Sequence, residues 1–449
     1  MMSVNRWKPY PETKDSGIEW LGQIPAHWEA RRLKDVGALI GGSGFPHEHQ
    51  GIQGEDLPFY KVGDLVGSSD GMTMHEGRNS VSRETAAQLR ASVIPGGSLL
   101  WAKIGAALFL NRRRITAQPC CIDNNMTAFV PDHDKASTDW AFFWTGTLDF
   151  GELANPGAVP SLSEGYQSAL PFILPPPDEQ QAIADFLDRE TAKIDALVEK
   201  KERLIELLQE KRTALITHAV TQGLDPNAPM KDSGIEWLGQ IPAHWRETRL
   251  GWVVEVSGGH TPDTGDLRFW EGEIPWVTPK DMKRRVIVDS IDHVSEAALQ
   301  ETGLRLLGPG NVLIVVRGMI LAHTFPVAVP RVPATINQDM KALLPIAGLE
   351  FDYLAYLLEG ISEFILSLVE ESAHGTKRLQ TELWKRVGLF LPPSCEQMEI
   401  TAHLDRETAK IDALIAKVQE AIERLKEYRT ALISAAVTGK IDVREEVVH

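Results

Sequence analysis

The chain has 449 residues, 43% apolar and 24% charged, enough to bury several cores and unlike a disordered polymer. Its 46 Lys plus Arg stand against 62 Asp plus Glu, a formal charge of −16, which excludes binding to a polyanion through bulk attraction. Cys120, Cys121 and Cys395 are too few for a disulfide framework, and no C-x-x-C pair offers zinc-ligand spacing. The longest apolar runs, such as Val312–Val316, fall far short of the roughly 18–20 residues of a membrane span, and Met1–Tyr10 contains no signal-peptide core. A cytoplasmic protein is expected.

The first element along the chain is also the first half of a repeat. Lys14–Trp28 reads KDSGIEWLGQIPAHW, and Lys231–Trp245 reads the same fifteen letters 217 positions later. The same offset relates Leu187–Leu197 (LDRETAKIDAL) to Leu404–Leu414, Glu179-Gln180 to Glu396-Gln397, Gly41-Gly42 to Gly258-Gly259 and Asp64 to Asp281. Between about 30 and 170, and again between about 246 and 390, only a skeleton is shared. There Ile94-Pro95-Gly96 answers Gly308-Pro309-Gly310 and Ile122-Asp123-Asn124 answers Ile336-Asn337-Gln338, both at an offset of 214. A constant frame around a divergent middle implies one mechanical role and two recognition tasks.

In the first divergent region Leu57–Lys61, Ser98–Lys103 and Thr127–Val130 read as strands, followed by a helix at about Trp140–Phe150. The second region repeats the order with Ile274–Thr278, Asn311–Arg317 and Lys341–Leu344, then a helical stretch at Tyr353–Val369. The glycine pairs suit tight turns, and neither lies in a G-x-G-x-x-G or P-loop fingerprint. His47-Glu48-His49 lacks a third metal ligand and reads as solvated surface. No nucleophile elbow and no Asn-Pro-Pro-[Tyr/Phe] run of the adenine methyltransferases is present, so nothing points to an enzyme.

From Asp178 to Val220 there is neither Gly nor Pro, and Leu187, Ile194, Leu197, Leu204, Leu208 and Leu215 follow a heptad pattern. Leu404, Ile411, Leu414, Val418, Leu425 and Leu432 repeat it, with Lys201 standing where the second helix has Val418. Each helix follows a proline stop and ends near Gly223 or Gly439, and forty residues reach about 60 Å. Like units closing by like contacts adopt an approximate two-fold, which lays the helices antiparallel. The expected fold is α+β: two pseudo-two-fold-related mixed α/β domains separated by a long antiparallel two-helix coiled coil. In chain order this gives an N-terminal segment over 1–29, a divergent domain over 30–174, a helix over 175–220 and a linker with the repeated segment over 221–245. The second divergent domain over 246–391, a helix over 392–438 and a tail over 439–449 complete it.

Basic clusters are the candidate binding residues: Arg112-Arg113-Arg114 after a predicted strand, Lys280 with Lys283, Arg284 and Arg285, and Lys377-Arg378. Neither divergent region is basic overall, with 12 Lys plus Arg against 15 Asp plus Glu in 30–170 and 15 against 19 in 246–390. Such clusters contact phosphates, and Arg or Lys can grip guanine edges in a major groove.

Three segments carry a resemblance to a known family. They are Y-P-x-x-K-D-S-G-I-E-W-L-G-Q-I-P-x-H-W at Tyr10–Trp28 with its duplicate from Lys231, L-P-P-P-x-E-Q-x-x-I at Leu174–Ile183 with its partner Leu391–Ile400, and the K-R-T-A-L-I run ending at Ile216. The chain resembles, over essentially its whole length, the specificity subunit of type I restriction–modification enzymes. The resemblance implies two target recognition domains, each reading one half of a split, asymmetric double-stranded DNA site, with the two helices setting the half-site spacing. It implies docking of two adenine methyltransferase subunits and of motor-nuclease restriction subunits. It also implies a non-catalytic chain, with S-adenosylmethionine, ATP and Mg²⁺ held by those partners. Lys61, Lys103 and Arg112–Arg114 are then expected at the first half-site, and Lys280, Lys283–Arg285, Arg317 and Lys377-Arg378 at the second. The competing expectation is a coiled-coil scaffold that binds protein partners at two globular ends.

Overall fold

The computed structural model describes residues 7–66, 71–155, 157–371 and 375–446; the start of the expected N-terminal segment and the last residues of the tail lie outside them. The chain divides into two compact units, one of residues 1–200 with 420–449 and the other of 201–419. The division falls inside both long helices, so each unit holds half of each.

In the first unit a five-stranded sheet is built from β1 (Gly37–Gly41), β2 (Thr73–Met74), β3 (Leu99–Ala102), β4 (Arg113–Thr116) and β5 (Met126–Pro131), in the order β1-β5-β3-β4-β2. Leu99, Trp101 and Phe129 on one face and Leu100, Met126 and Ala128 on the other fill separate cores, as period-two alternation requires. Helix α1 (Thr138–Gly146) starts at Ser137, whose hydroxyl accepts the Trp140 amide, and sends Trp140 and Trp144 into the larger core. A smaller sheet places Leu57–Tyr60 between Cys121–Ile122 and Ser80–Val81. At the base Glu29–Arg32 pairs antiparallel with Pro171–Leu174, so the chain enters and leaves this region side by side.

The second unit repeats the design. Strands β6 (Val254–Gly258), β7 (Val286–Ile287), β8 (Val312–Val315), β9 (Val327–Pro330) and β10 (Met340–Pro345) lie in the order β6-β10-β8-β9-β7, with helix α3 (Phe351–Gly360) against them. Arg246–Arg249 pairs with Gly388–Leu391 at the base. The β1–β5 register runs from Gly37 opposite Pro131 to Gly41 opposite Thr127, and β6–β10 from Val254 opposite Pro345 to Gly258 opposite Lys341. These are the offsets of 217 and 214 seen in the sequence. The predicted strands are present, and the expected helix at 353–369 is broken at Gly360, resuming as Ser362–Ser367.

The long helices span Pro177–Gln222 and Ser394–Val437. Call the first α2 and the second α4. In the first unit Glu179 lies 3.9 Å from Arg444 and Asp195 3.0 Å from Arg429, so the chain segments run antiparallel. In the second, Arg212 and Asp412 pair at 3.1 Å, while Gly223 sits against the Glu396 carboxylate. Asp195–Arg429 and Arg212–Asp412 are equivalent pairs under the shift of 217, one inside each unit. The heptad reading needs one correction. Leu197, Leu204 and Leu414 are exposed, and the buried row continues through Thr191, Thr408 and Ile422 instead, one residue further round each turn.

The repeated motifs explain themselves as fastenings. His27 pairs with Glu179 at 2.7 Å and His244 with Glu396 at 2.7 Å, pinning each fifteen-residue segment to the start of a long helix. The next residue, buried Gln180, accepts the Ser137 amide at 2.9 Å and donates to Pro175 O; Gln397 accepts the Glu350 amide at 2.9 Å and donates to Pro392 O. Each glutamine thus ties the long helix to the first turn of α1 or α3. Gln397→Leu leaves those buried groups without partners and is expected to lower the stability of the second unit by about 2 kcal/mol, read as an earlier thermal transition.

Candidate nucleic-acid interface

Gly42 and Gly259 fix the geometry of the two candidate surfaces. A Cβ on Gly42 would lie 1.8 Å from Asp123 O, and one on Gly259 1.8 Å from Asn337 O. Neither glycine has a positive φ, so the expected tight turn is corrected to a close backbone approach. The strand end Gly41–Ser43 is clamped to the loop after Cys121–Ile122, with Ser43 N donating to Ile122 O at 3.0 Å. In the second unit His260 N donates to Ile336 O at 3.0 Å.

Cations gather around these clamps. In the first unit the Lys103 ammonium lies over Gly41, and Lys61 donates to Gln50 Oε1 at 3.1 Å. The Asp123 carboxyl is raised from its ordinary range by burial, opposed by the Asn125 amide and by the charges of Lys61 and Lys103. Exposed Arg78 lies 3.7 Å from Asp64. In the second unit Arg317 and Arg378 are joined by a β-bridge, and Gly318 N donates to Lys377 O at 3.0 Å. Lys341 covers Gly258, while Thr261 and Gln338 are hydrogen-bonded across the clamp. Lys280, Lys283 and Arg284 are exposed on the turn after Ile274–Val277.

The twelve sequence candidates therefore separate. Lys61 and Lys103 come together, as do Arg317 and Arg378. Arg113 is corrected to a structural residue: 5% exposed, it donates to Asn111 O at 2.7 Å and to Leu148 O and packs 4.0 Å above the Phe150 ring. Burial pushes its guanidinium below the usual range. Arg112 and Arg114 line a cleft of about 510 Å³ with Phe142, Phe143 and Arg429, away from the Asp123 clamp. Arg285 is likewise structural, 3.2 Å above the Tyr356 ring and paired with Glu359 at 3.3 Å and Asp405 at 3.6 Å. Lys377 is held by Glu371 at 2.6 Å. Clustering in sequence selected buried Arg113 and partly buried Arg285 because charge was read without burial or partners. Lys341, Thr261 and Gln338, which the sequence reading did not single out, stand beside the clamp; the signal for their placement was the Gly-Gly pair answering the Ile-Asp-Asn or Ile-Asn-Gln run in both copies.

Among the described residues no group of three potential metal ligands comes together, and no helix is long and apolar enough to cross a membrane. His47–His49 forms a short 3₁₀ turn.

Comparison with known proteins adds three findings. The family model described as type I restriction modification DNA specificity domain matches residues 25–207 and again 242–424, two spans displaced by the same 217 positions. The chain is 27% identical over 300 residues to the EcoR124I/EcoR124II type I restriction enzyme specificity subunit of Escherichia coli, covering 66% of this chain and 69% of that one. It is 22% identical to the MjaIX specificity subunit of Methanocaldococcus jannaschii, covering 98% of each. A solved chain from work on complex assembly and conformational transition of the type I restriction–modification system superposes with a TM-score of 0.63 at 20% identity, over 92% of this chain and 98% of that one, and so shares its fold.

Proposed function

Since the chain belongs to the type I restriction–modification DNA specificity family, we propose that it reads a bipartite, asymmetric double-stranded DNA target with one half-site for each unit. The observation that carries this reading is that equivalent positions at the two clamps differ while the frame does not. Lys61 is answered by Thr278, Lys103 by Arg317, Asp123 by Asn337 and Thr127 by Lys341. Arg317 and Lys341 can donate to guanine or phosphate, and Gln338 can bond an adenine edge, so the two surfaces suit different bases. In this reading α2 and α4 set the half-site gap, two adenine methyltransferase subunits dock on the repeated frame, and motor-nuclease subunits complete the restriction complex. The chain itself is non-catalytic, with S-adenosylmethionine, ATP and Mg²⁺ bound by those partners.

The negative formal charge limits what the chain does alone. Isolated, it should bind target DNA weakly and with steep salt dependence, and tightly once the methyltransferase subunits add their own phosphate contacts. Replacing Arg317 and Arg378 with alanine tests the reading. Binding of the assembled methyltransferase complex should weaken at least tenfold, with the slope of log affinity against log salt reduced by about 1 for each lost phosphate contact. Methylation should fall on targets carrying the intact second half-site while subunit assembly is unchanged. Unaltered affinity and methylation would remove these residues from the interface.

A further inference from the structure

The two units differ in how they neutralise the arginine that a long helix turns toward its neighbour. In the second unit Arg212 on α2 meets two carboxylates, Asp412 at 3.1 Å and Glu359 of α3 at 3.6 Å, and Glu359 also neutralises Arg285. Arg429 on α4 is the counterpart of Arg212 under the shift of 217, and it keeps the first of these partners as Asp195 at 3.0 Å. The second partner has no counterpart. Counted from Ser137 and Glu350, whose amides donate to Gln180 and Gln397, the residue of α1 in the place of Glu359 is Gly146.

Where the second unit has that carboxylate, the first has the cleft of about 510 Å³. Gly146 lines it together with Arg112, Arg113 and Arg429, and Asp149 is the one acid among its described lining residues. Asp149 Oδ1 already accepts the Gly151 and Glu152 amides, at 2.8 and 3.2 Å. Arg113 is held by two carbonyls and a ring, none of which cancels its charge, and its Nε is buried without a hydrogen-bond partner. Among the described residues neither Arg112 nor Arg113 forms an ion pair. Charge left uncompensated at the base of a cleft costs stability until an anion reaches it. Phe142 and Phe143 add an apolar wall beside these cations.

The geometry points to a binding site for a small phosphomonoester, its phosphate among Arg112, Arg113 and Arg429 where the second unit keeps Glu359, and its apolar or aromatic body against Phe142 and Phe143. Guanidinium forks match phosphate oxygens, and a phosphomonoester carries about −1.5 to −2 charge at neutral pH, more than one carboxylate supplies. The cleft has the size of a small-molecule pocket, roughly 300–1,000 Å³. A nucleoside monophosphate has both parts, a dianion and a flat ring. The backbone of duplex DNA does not reach the floor, because Arg113 is only 5% exposed. The site is independent of the DNA reading and stands or falls without it.

Isothermal titration and scanning calorimetry of the full chain, with adenosine monophosphate and inorganic phosphate as probes, test the site. Adenosine monophosphate should bind at least tenfold more tightly than inorganic phosphate. At a hundred times its dissociation constant it should raise the first unit's transition by about 5–10 °C and leave that of the second unit in place. Gly146→Glu, whose Cβ meets nothing within 4 Å, should supply the missing carboxylate. Binding should then fall at least tenfold, and the ligand-free transition of the first unit should rise above that of Gly146→Gln, which adds the same bulk without the charge. Arg112→Gln should also weaken binding at least tenfold. The proposal is overturned if neither probe binds, if both bind equally, if the Glu and Gln variants melt and bind alike, or if a duplex of unrelated sequence displaces adenosine monophosphate.

Discussion

Gly259→Ala should abolish reading of the second half-site and lower the thermal transition of its unit by roughly 6–12 °C. The added methyl would be built 1.8 Å from Asn337 O and 2.4 Å from its carbon, and both are backbone atoms that no rotamer change can move. Relieving the overlap means parting the end of β6 from the loop that carries Asn337 and Gln338, at about 3 kcal/mol, and for a unit of about 200 residues each kcal/mol is worth about 2–4 °C. The same displacement moves His260, Thr261 and Lys341 from their places around the clamp. Gly42→Ala should do the same to the first unit, where Asp123 O is the obstacle. Gly44→Ala is the matched control: its Cβ meets nothing within 4 Å and its φ is not positive, so stability should stay within about 0.5 kcal/mol. Two-transition calorimetry, with methylation assays on targets intact in one half only, separates the outcomes. A Gly259→Ala protein that melts and methylates like the parent would refute the close approach.

Arg285→Ala should cost about 3 kcal/mol at neutral pH and much less in acid. Arg285 and Arg212 both face the carboxylate of Glu359, at 3.3 and 3.6 Å, with Asp405 and Asp412 further out. Burial raises the Glu359 carboxyl above its ordinary 4.5, and the two arginines pull it back down. A carboxyl whose folded pKa is raised binds more protons folded than unfolded, so its contribution to stability falls as pH climbs from the unfolded value through the folded one. Removing Arg285 raises the folded value further and widens that window. The penalty is therefore largest where Glu359 must stay ionised beside Arg212 alone, and fades toward pH 4.5, where protonation relieves it. Urea titrations of parent and variant between pH 4.5 and 8 measure the difference directly. A penalty independent of pH would show that Arg285 acts through its stacking on Tyr356 and not through the carboxylate.

The duplication, three strands of each divergent region and the long helices were legible because each rests on a pattern that needs no tertiary information: an exact repeat, a short apolar run between turns, an unbroken stretch without Gly or Pro. The seam of the helices was only half legible. Leu187 and Ile194 were placed correctly, but Leu197 and Leu204 are no less apolar than their buried neighbours, and only the facing helix decides which side of the turn is covered. The interface was less legible still. Arg113 and Arg285 carry the same formal charge as Arg317 and Arg378, yet carbonyl oxygens, rings and carboxylates supplied by distant segments have already occupied the first two. Lys341 was read only as the start of a strand, although β10 carries it across to Gly258.

The way the chain is apportioned between the units bears on its birth on the ribosome. The second unit is one continuous stretch, whereas the first needs residues 420–449, where Leu425 and Leu432 join the core and Asp442 N bonds to Lys8 O at 2.7 Å. The domain translated first is thus the last to be completed, and its Leu187 and Ile194 face stays open until the final helix emerges. Nascent chains arrested before residue 420 should therefore protect the later-made domain from protease and leave the earlier one cleavable, an inversion of the usual order from amino to carboxyl end.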